Sequence, residues 1–166
     1  MAEKEELIKE KIEYSGLFNF PAFYSFAHSW FKENDHGVNE DKYSEKVSGN
    51  KRDITIEWKA TRKITDYFKG EYKIKFEIRE LVDVEAEING SKEKMNQGKV
   101  SAEIKGIIIS DFQSKWDKSA FSRFMRDFYN KFVIPSRVQQ IKDEVIDTVR
   151  DFKEQLKAFL ELMGRQ

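Results

Sequence analysis

Residues 72–88, YKIKFEIRELVDVEAEI, alternate between two kinds of side chain. Tyr72, Ile74, Phe76, Ile78, Val82, Val84, Ala86 and Ile88 share one parity, and Lys73, Lys75, Glu77, Arg79, Asp83, Glu85 and Glu87 share the other. A strand sends successive side chains to opposite faces, so the stretch predicts a β-strand with one apolar and one charged face. Two neighbours break the pattern. Glu80 falls on the apolar parity and Leu81 on the charged one. A β-bulge at this pair explains both misfits with one event. An unbroken run of roughly 56 Å, at about 3.3 Å per residue, would also be long for one strand. The alternative is that Glu80 is a carboxylate held over the concave face of the sheet.

Upstream, residues 52–65 alternate Ile54, Ile56, Trp58, Ala60 and Ile64 against Thr55, Glu57, Lys59, Thr61, Lys63 and Thr65. Arg62 is the exception on the apolar side, near the strand end, where a long side chain can reach water. The short connection through Asp66–Gly70 makes these two runs an antiparallel hairpin. Gly49-Asn50 marks a turn before them. Residues 42–48 are expected as a short edge strand with Tyr43 and Val47 inward, and Asn34–Asp41 as a polar loop.

Downstream, Asn89-Gly90 is the strongest two-residue hairpin signal in the chain. Asn96-Gln97-Gly98 reads as a second turn, with residues 91–95 a short strand or loop. Residues 99–112 alternate again, with Val100, Ala102, Ile104, Ile108 and Phe112 on one side and Gly106 among them. If Ile88 lay near Gly98 in register, Glu80 would face Gly106 and one kink would cross two strands. Ile107 and Ile109 fall on the outward parity, so the second face is not wholly solvated there.

The flanks read as helices. Leu7, Ile8 and Ile12 give residues 3–14 a short, weakly amphipathic helix ended by Gly16, so residues 1–16 are expected as a loosely packed helix. Asn19 is placed to cap the next helix, with Pro21 in its first turn. Phe23, Tyr24, Ala27, Trp30 and Phe31 then form a buried stripe. Residues 118–132 carry Phe121, Phe124, Met125, Phe128 and Phe132 at helical spacing, and Pro135 breaks that run. Ser136-Arg137-Val138-Gln139 matches a capping box. From there Ile141, Val145, Val149, Phe152, Leu156 and Leu160 define a helix to Met163, about 40 Å long at 1.5 Å per residue.

A meander with one apolar face must be covered. The expected fold is therefore α+β, a single domain over residues 1–166. It has a curved antiparallel meander of about four to five strands, one face covered by N-terminal helices and a long C-terminal helix. This order of elements is similar in outline to helix-grip domains that hold apolar ligands. No residue motif accompanies that likeness, and fold alone does not assign function.

Composition narrows the function. The chain of 166 residues is 36% charged, with 30 bases and 30 acids, and carries 14 Phe, 6 Tyr and 3 Trp. Aromatic area of that size builds a core. The absence of cysteine excludes disulfides, thiolate nucleophiles and Cys-bound zinc. No apolar run approaches the roughly 20 residues of a membrane-spanning helix. The charged start Met1–Glu6 leads into no apolar signal region, so a cytoplasmic protein is expected. Residues 1–45 hold five bases against ten acids, and residues 46–79 hold ten bases against five acids.

No stretch carries a catalytic, metal-ligating or cofactor-binding motif. His28 and His36 lack placeable partners, no glycine-rich phosphate loop appears, and no serine sits in a nucleophile elbow. The chain is therefore expected to be a non-enzymatic binding or assembly module, acting on a protein partner or on itself. Phe18, Phe20 and Phe26 exceed what one helix stripe uses and are candidates for a partner surface. Asp143, Asp147 and Asp151 form an i, i+4 column that repels itself slightly and could face a basic partner. An apolar-ligand carrier is the alternative, with Trp58 and Phe76 lining the ligand and Glu80 or Arg62 orienting its polar end. A third reading is contact with anionic surfaces through the basic strand face. Stacking rings are missing from that face, which argues against nucleic acid.

Overall fold

The computed structural model describes residues 3–110 and 135–164. Five strands form one antiparallel sheet: β1 (Glu3–Phe18), β2 (Gly37–Ser48), β3 (Lys51–Lys63), β4 (Phe68–Ile88) and β5 (Ser91–Ser110). Their spatial order is β1-β5-β4-β3-β2. Helix α1 (Phe20–Glu33) follows β1, and α2 (Pro135–Gly164) closes the described chain. The expected α+β architecture, meander and long final helix are all present. The helix expected over residues 118–132 lies outside the described residues.

The alternating runs bury as their parity requires. Ile54, Ile56, Trp58, Ala60, Tyr72, Ile74, Phe76, Ile78, Val100, Ala102 and Ile104 form one continuous core. Phe23, Ala27 and Phe31 of α1, with Val145, Val149, Phe152, Leu156 and Leu160 of α2, cover it. The side chain of Asn19 caps α1 by accepting from the Ala22 N–H at 3.0 Å. Pro135 opens α2, where its missing N–H is harmless. The Asn89-Gly90 turn has φ of 51° and 81° at its two residues, the left-handed pair that a tight hairpin between twisted strands needs.

The bulge is real, and its partner is not the expected one. Arg79 pairs with Lys99 and Val82 with Gln97, so Glu80 and Leu81 together oppose Gly98. Glu80 has φ 56° and points to solvent, while Leu81 is fully buried. The carboxylate therefore does not lie over the concave face. Its extra residue turns Leu81 inward instead. A Cβ at Gly98 would sit 3.1 Å from the Arg79 carbonyl oxygen and 3.2 Å from the Leu81 Cα, so this site needs a glycine. Gly106 instead pairs with Tyr72 and Ile8. Ile88 pairs with Ser91 rather than lying near Gly98.

Four further expectations are corrected. Residues 3–14 are strand, not helix, and Gly16 does not end them. Ile8, Ile12, Tyr14 and Phe18 share a parity, but Glu10 interrupts it. Its carboxylate lies on the covered side, where Lys153 of α2 meets it at 3.1 Å. Asn96-Gln97-Gly98 is no turn, because β5 runs through it. The polar loop is shorter than expected, because β2 already starts at Gly37. Tyr43 shares the inner face with its partner Ile56, yet Tyr43 and Val47 on β2 are 47% and 64% exposed, because the edge strand reaches past the helical cover. Ile107 and Ile109 are buried, as the outward apolar parity implied.

Candidate functional site

An open groove of about 750 Å³ runs between the end of α1 and the first half of α2. Trp30, Glu33, Asn34, Asp35 and His36 form one wall. Gln140, Asp143, Glu144, Asp147, Thr148 and Asp151 form the other, and Arg62 reaches in from the end of β3. Six carboxylates thus face one guanidinium. Arg62 is already bound to Glu144 at 2.8 Å, which leaves five acids in excess. Asp143 accepts from Gln139 at 2.9 Å. Among the described residues no cation lies within ion-pair distance of Asp147, Asp151, Glu33 or Asp35.

Local sequence explains the acidic wall on α2. The apolar stripe Ile141, Val145, Val149, Phe152 fixes which side of the helix packs. Asp143, Asp147 and Asp151 then fall on an exposed column, stacked about 6 Å apart at one step per turn. The opposite wall is set by how α1 ends. The His36 N–H donates to the Phe31 carbonyl at 2.9 Å and the Asp35 N–H to the Lys32 carbonyl at 3.2 Å. That pair of bonds is a Schellman ending, with Asp35 at the left-handed position, φ 64°. The motif sets the next residue against the last turn of the helix, and here that residue is His36.

The His36 ring packs edge-on against Phe31 at 5.4 Å and Tyr72 at 5.1 Å, and stacks on Trp30 at 6.5 Å. Only 5% of the residue is exposed. Neither ring nitrogen makes a hydrogen bond of good geometry among the described residues. Burial pushes its pKa down, and the Arg62 charge does the same. The Phe31 and Asn34 carbonyls and Asp35 pull the other way with less effect. At neutral pH an uncharged imidazole therefore lies beneath the groove, with both ring nitrogens shut off from solvent.

The structure gathers four of the sequence candidates here: Arg62, Asp143, Asp147 and Asp151. It disperses the rest. Trp58 and Phe76 meet edge-on at 5.1 Å inside the core. Phe18 is fully buried, and Phe26 stacks on Phe159 of α2 at 4.4 Å, so neither forms a free surface. Phe20 is half-buried beside Tyr24. His28 lies over Trp58 and Tyr24. Trp30, Glu33, Asp35 and His36 were not candidates. The signal for them is Asn34-Asp35-His36-Gly37, a polar helix ending whose left-handed residue is not glycine.

Among the described residues no group of three His, Asp or Glu side chains is placed to hold a metal ion. No described helix is long and apolar enough to cross a membrane. The chain matches no known family model and no curated protein sequence.

Proposed function

We propose that the chain is a non-enzymatic binding and assembly module whose acidic groove receives a lysine- or arginine-bearing segment of a protein partner. The observation that carries this reading is that, among the described residues, five carboxylates stand in excess around a concave floor with one, already paired, cation. Opposed fields steer encounter and select partners of the right charge. The Trp30 ring is part of the groove wall, and aromatic rings attract alkyl-ammonium and guanidinium groups.

The packing between sheet and helix speaks against an apolar-ligand carrier. A Cβ at Gly106 would lie 2.8 Å from Val149, 2.9 Å from Ile8 and 3.1 Å from Val145. Where α2 crosses β5 and β1, the layers touch with no space for a guest.

Trp30 supplies a local fluorophore for the test. Titration with a short oligolysine peptide at low salt should change tryptophan emission and saturate. The Asp147→Asn, Asp151→Asn double variant should bind about threefold to tenfold more weakly, at up to roughly 1 kcal/mol per exposed pair. Equal affinity in the variant, or no binding by the parent protein, would refute the groove as the site.

A further inference from the structure

The outer face of the sheet carries a row of lysines that follows directly from the register. Lys59 pairs with Lys73, Lys73 with Lys105, and Lys105 with Lys9. Four adjacent strands therefore place a lysine at the same level on the same face. Like charges directly opposite one another destabilise a sheet. Flanking carboxylates relieve this only in part. Glu71 lies 3.6 Å from Lys59, Glu103 lies 3.7 Å from Lys9 and 3.9 Å from Lys105, and Glu6 lies 4.0 Å from Lys105. Among the described residues, no carboxylate is within ion-pair distance of Lys73.

The groove holds a second self-repelling array of opposite sign, Asp143, Asp147 and Asp151. At 1.5 Å per residue the column is about 12 Å long. The lysine row crosses three inter-strand gaps of about 4.8 Å, roughly 14 Å in all. Two arrays of matching length and opposite charge neutralise one another when laid face to face, with the unpaired Lys73 at the centre of the lysine row.

We infer that the groove's partner is a second copy of this chain, docking through its Lys59–Lys73–Lys105–Lys9 row. The inference rests on the groove reading above and names its occupant. The helices cover the inner face of the sheet and the lysines stand on the outer one, so the two surfaces belong to opposite layers. Docking leaves one groove and one row free at the ends of each pair. Such head-to-tail contacts grow into rings or open chains rather than closing as a two-fold dimer.

Sedimentation velocity at high protein concentration tests this with charge reversals on exposed residues. The parent protein should form species larger than a dimer at low salt and return to monomer at high salt. Lys73→Glu keeps its groove and Asp147→Lys keeps its lysine row. Each alone should stay monomeric, while an equal mixture should associate. Circular dichroism of both variants establishes that they are folded. A parent protein that remains monomeric at low salt overturns the inference. So does a mixture of folded variants that never pairs. If the parent remains monomeric yet still binds oligolysine through Asp147 and Asp151, the groove reading stands and the second copy is excluded.

Discussion

The side-chain carbonyl of Asn96, in the middle of β5, accepts a hydrogen bond from the backbone N–H of Phe20 at 2.9 Å. The same amide donates to Asp83 at 2.8 Å, and Asp83 in turn holds Arg52 at 2.9 Å. The first turn of α1 is thus tied to three strands through one buried residue. Asn96→Ala leaves the Phe20 N–H and one Asp83 oxygen without their partner. Thermal or urea unfolding should show a loss of about 1–3 kcal/mol. A change within a few tenths would mean that water replaces Asn96 at no cost.

The bulge makes opposite demands on neighbouring residues. Leu81→Ala removes a fully buried side chain and should cost about 2–5 kcal/mol. Glu80→Gly relieves a left-handed backbone at an exposed position and should be neutral or stabilising by up to about 1 kcal/mol. Gly98→Ala should destabilise, because its Cβ meets backbone atoms that cannot swing aside. Urea denaturation of the three variants checks this ordering. A Glu80→Gly variant less stable than Leu81→Ala would reverse the assignment.

Asp35 sets stability against binding. It holds a left-handed backbone at the end of α1, where glycine is the unstrained choice, and it supplies one of the groove's free carboxylates. Asp35→Gly should raise stability by about 1 kcal/mol and weaken capture of a cationic peptide. Melting temperature and peptide affinity, measured on one preparation, should therefore move in opposite directions. Affinity that rises together with stability would show that Asp35 takes no part in the groove.

The buried imidazole gives stability a pH dependence of known sign. The pKa of His36 in the folded chain lies below the ordinary value near 6.5. As pH falls through that value, the unfolded chain takes up the proton first, so stability is lost toward acid. The contribution is whole above the ordinary histidine value and declines as pH drops from there toward the folded pKa. His36→Phe, set among Trp30, Phe31 and Tyr72, should flatten this part of the stability profile. An unchanged slope between the parent and His36→Phe proteins would place the titration elsewhere.

The sheet was legible because period-two patterning is strong where one face is buried: Ile54 to Ala60, Tyr72 to Ile78 and Val100 to Ile104 all bury as read. Misreadings arose where a polar residue stands on the covered side for a tertiary reason. Glu10 broke the alternation of β1 because its partner, Lys153, comes from a helix far along the chain. Asn96 beside Gly98 resembled a turn, yet one caps α1 and the other makes room for the bulge. The α2 half of the groove was visible as the aspartate column. Its α1 half was hidden, because the backbone reversal at Asp35 brings His36 and the carboxylates together, and Arg62 arrives from a separate strand.

Backbone amide NMR of the uniformly labelled protein, titrated with a short oligolysine peptide at low salt, tests the groove most directly. The expected shifts gather at residues 33–36, around Arg62 and along 143–151, and they fade as salt is raised. Shifts confined to the outer sheet face around Lys73, or spread evenly over the surface with no saturation, would contradict it.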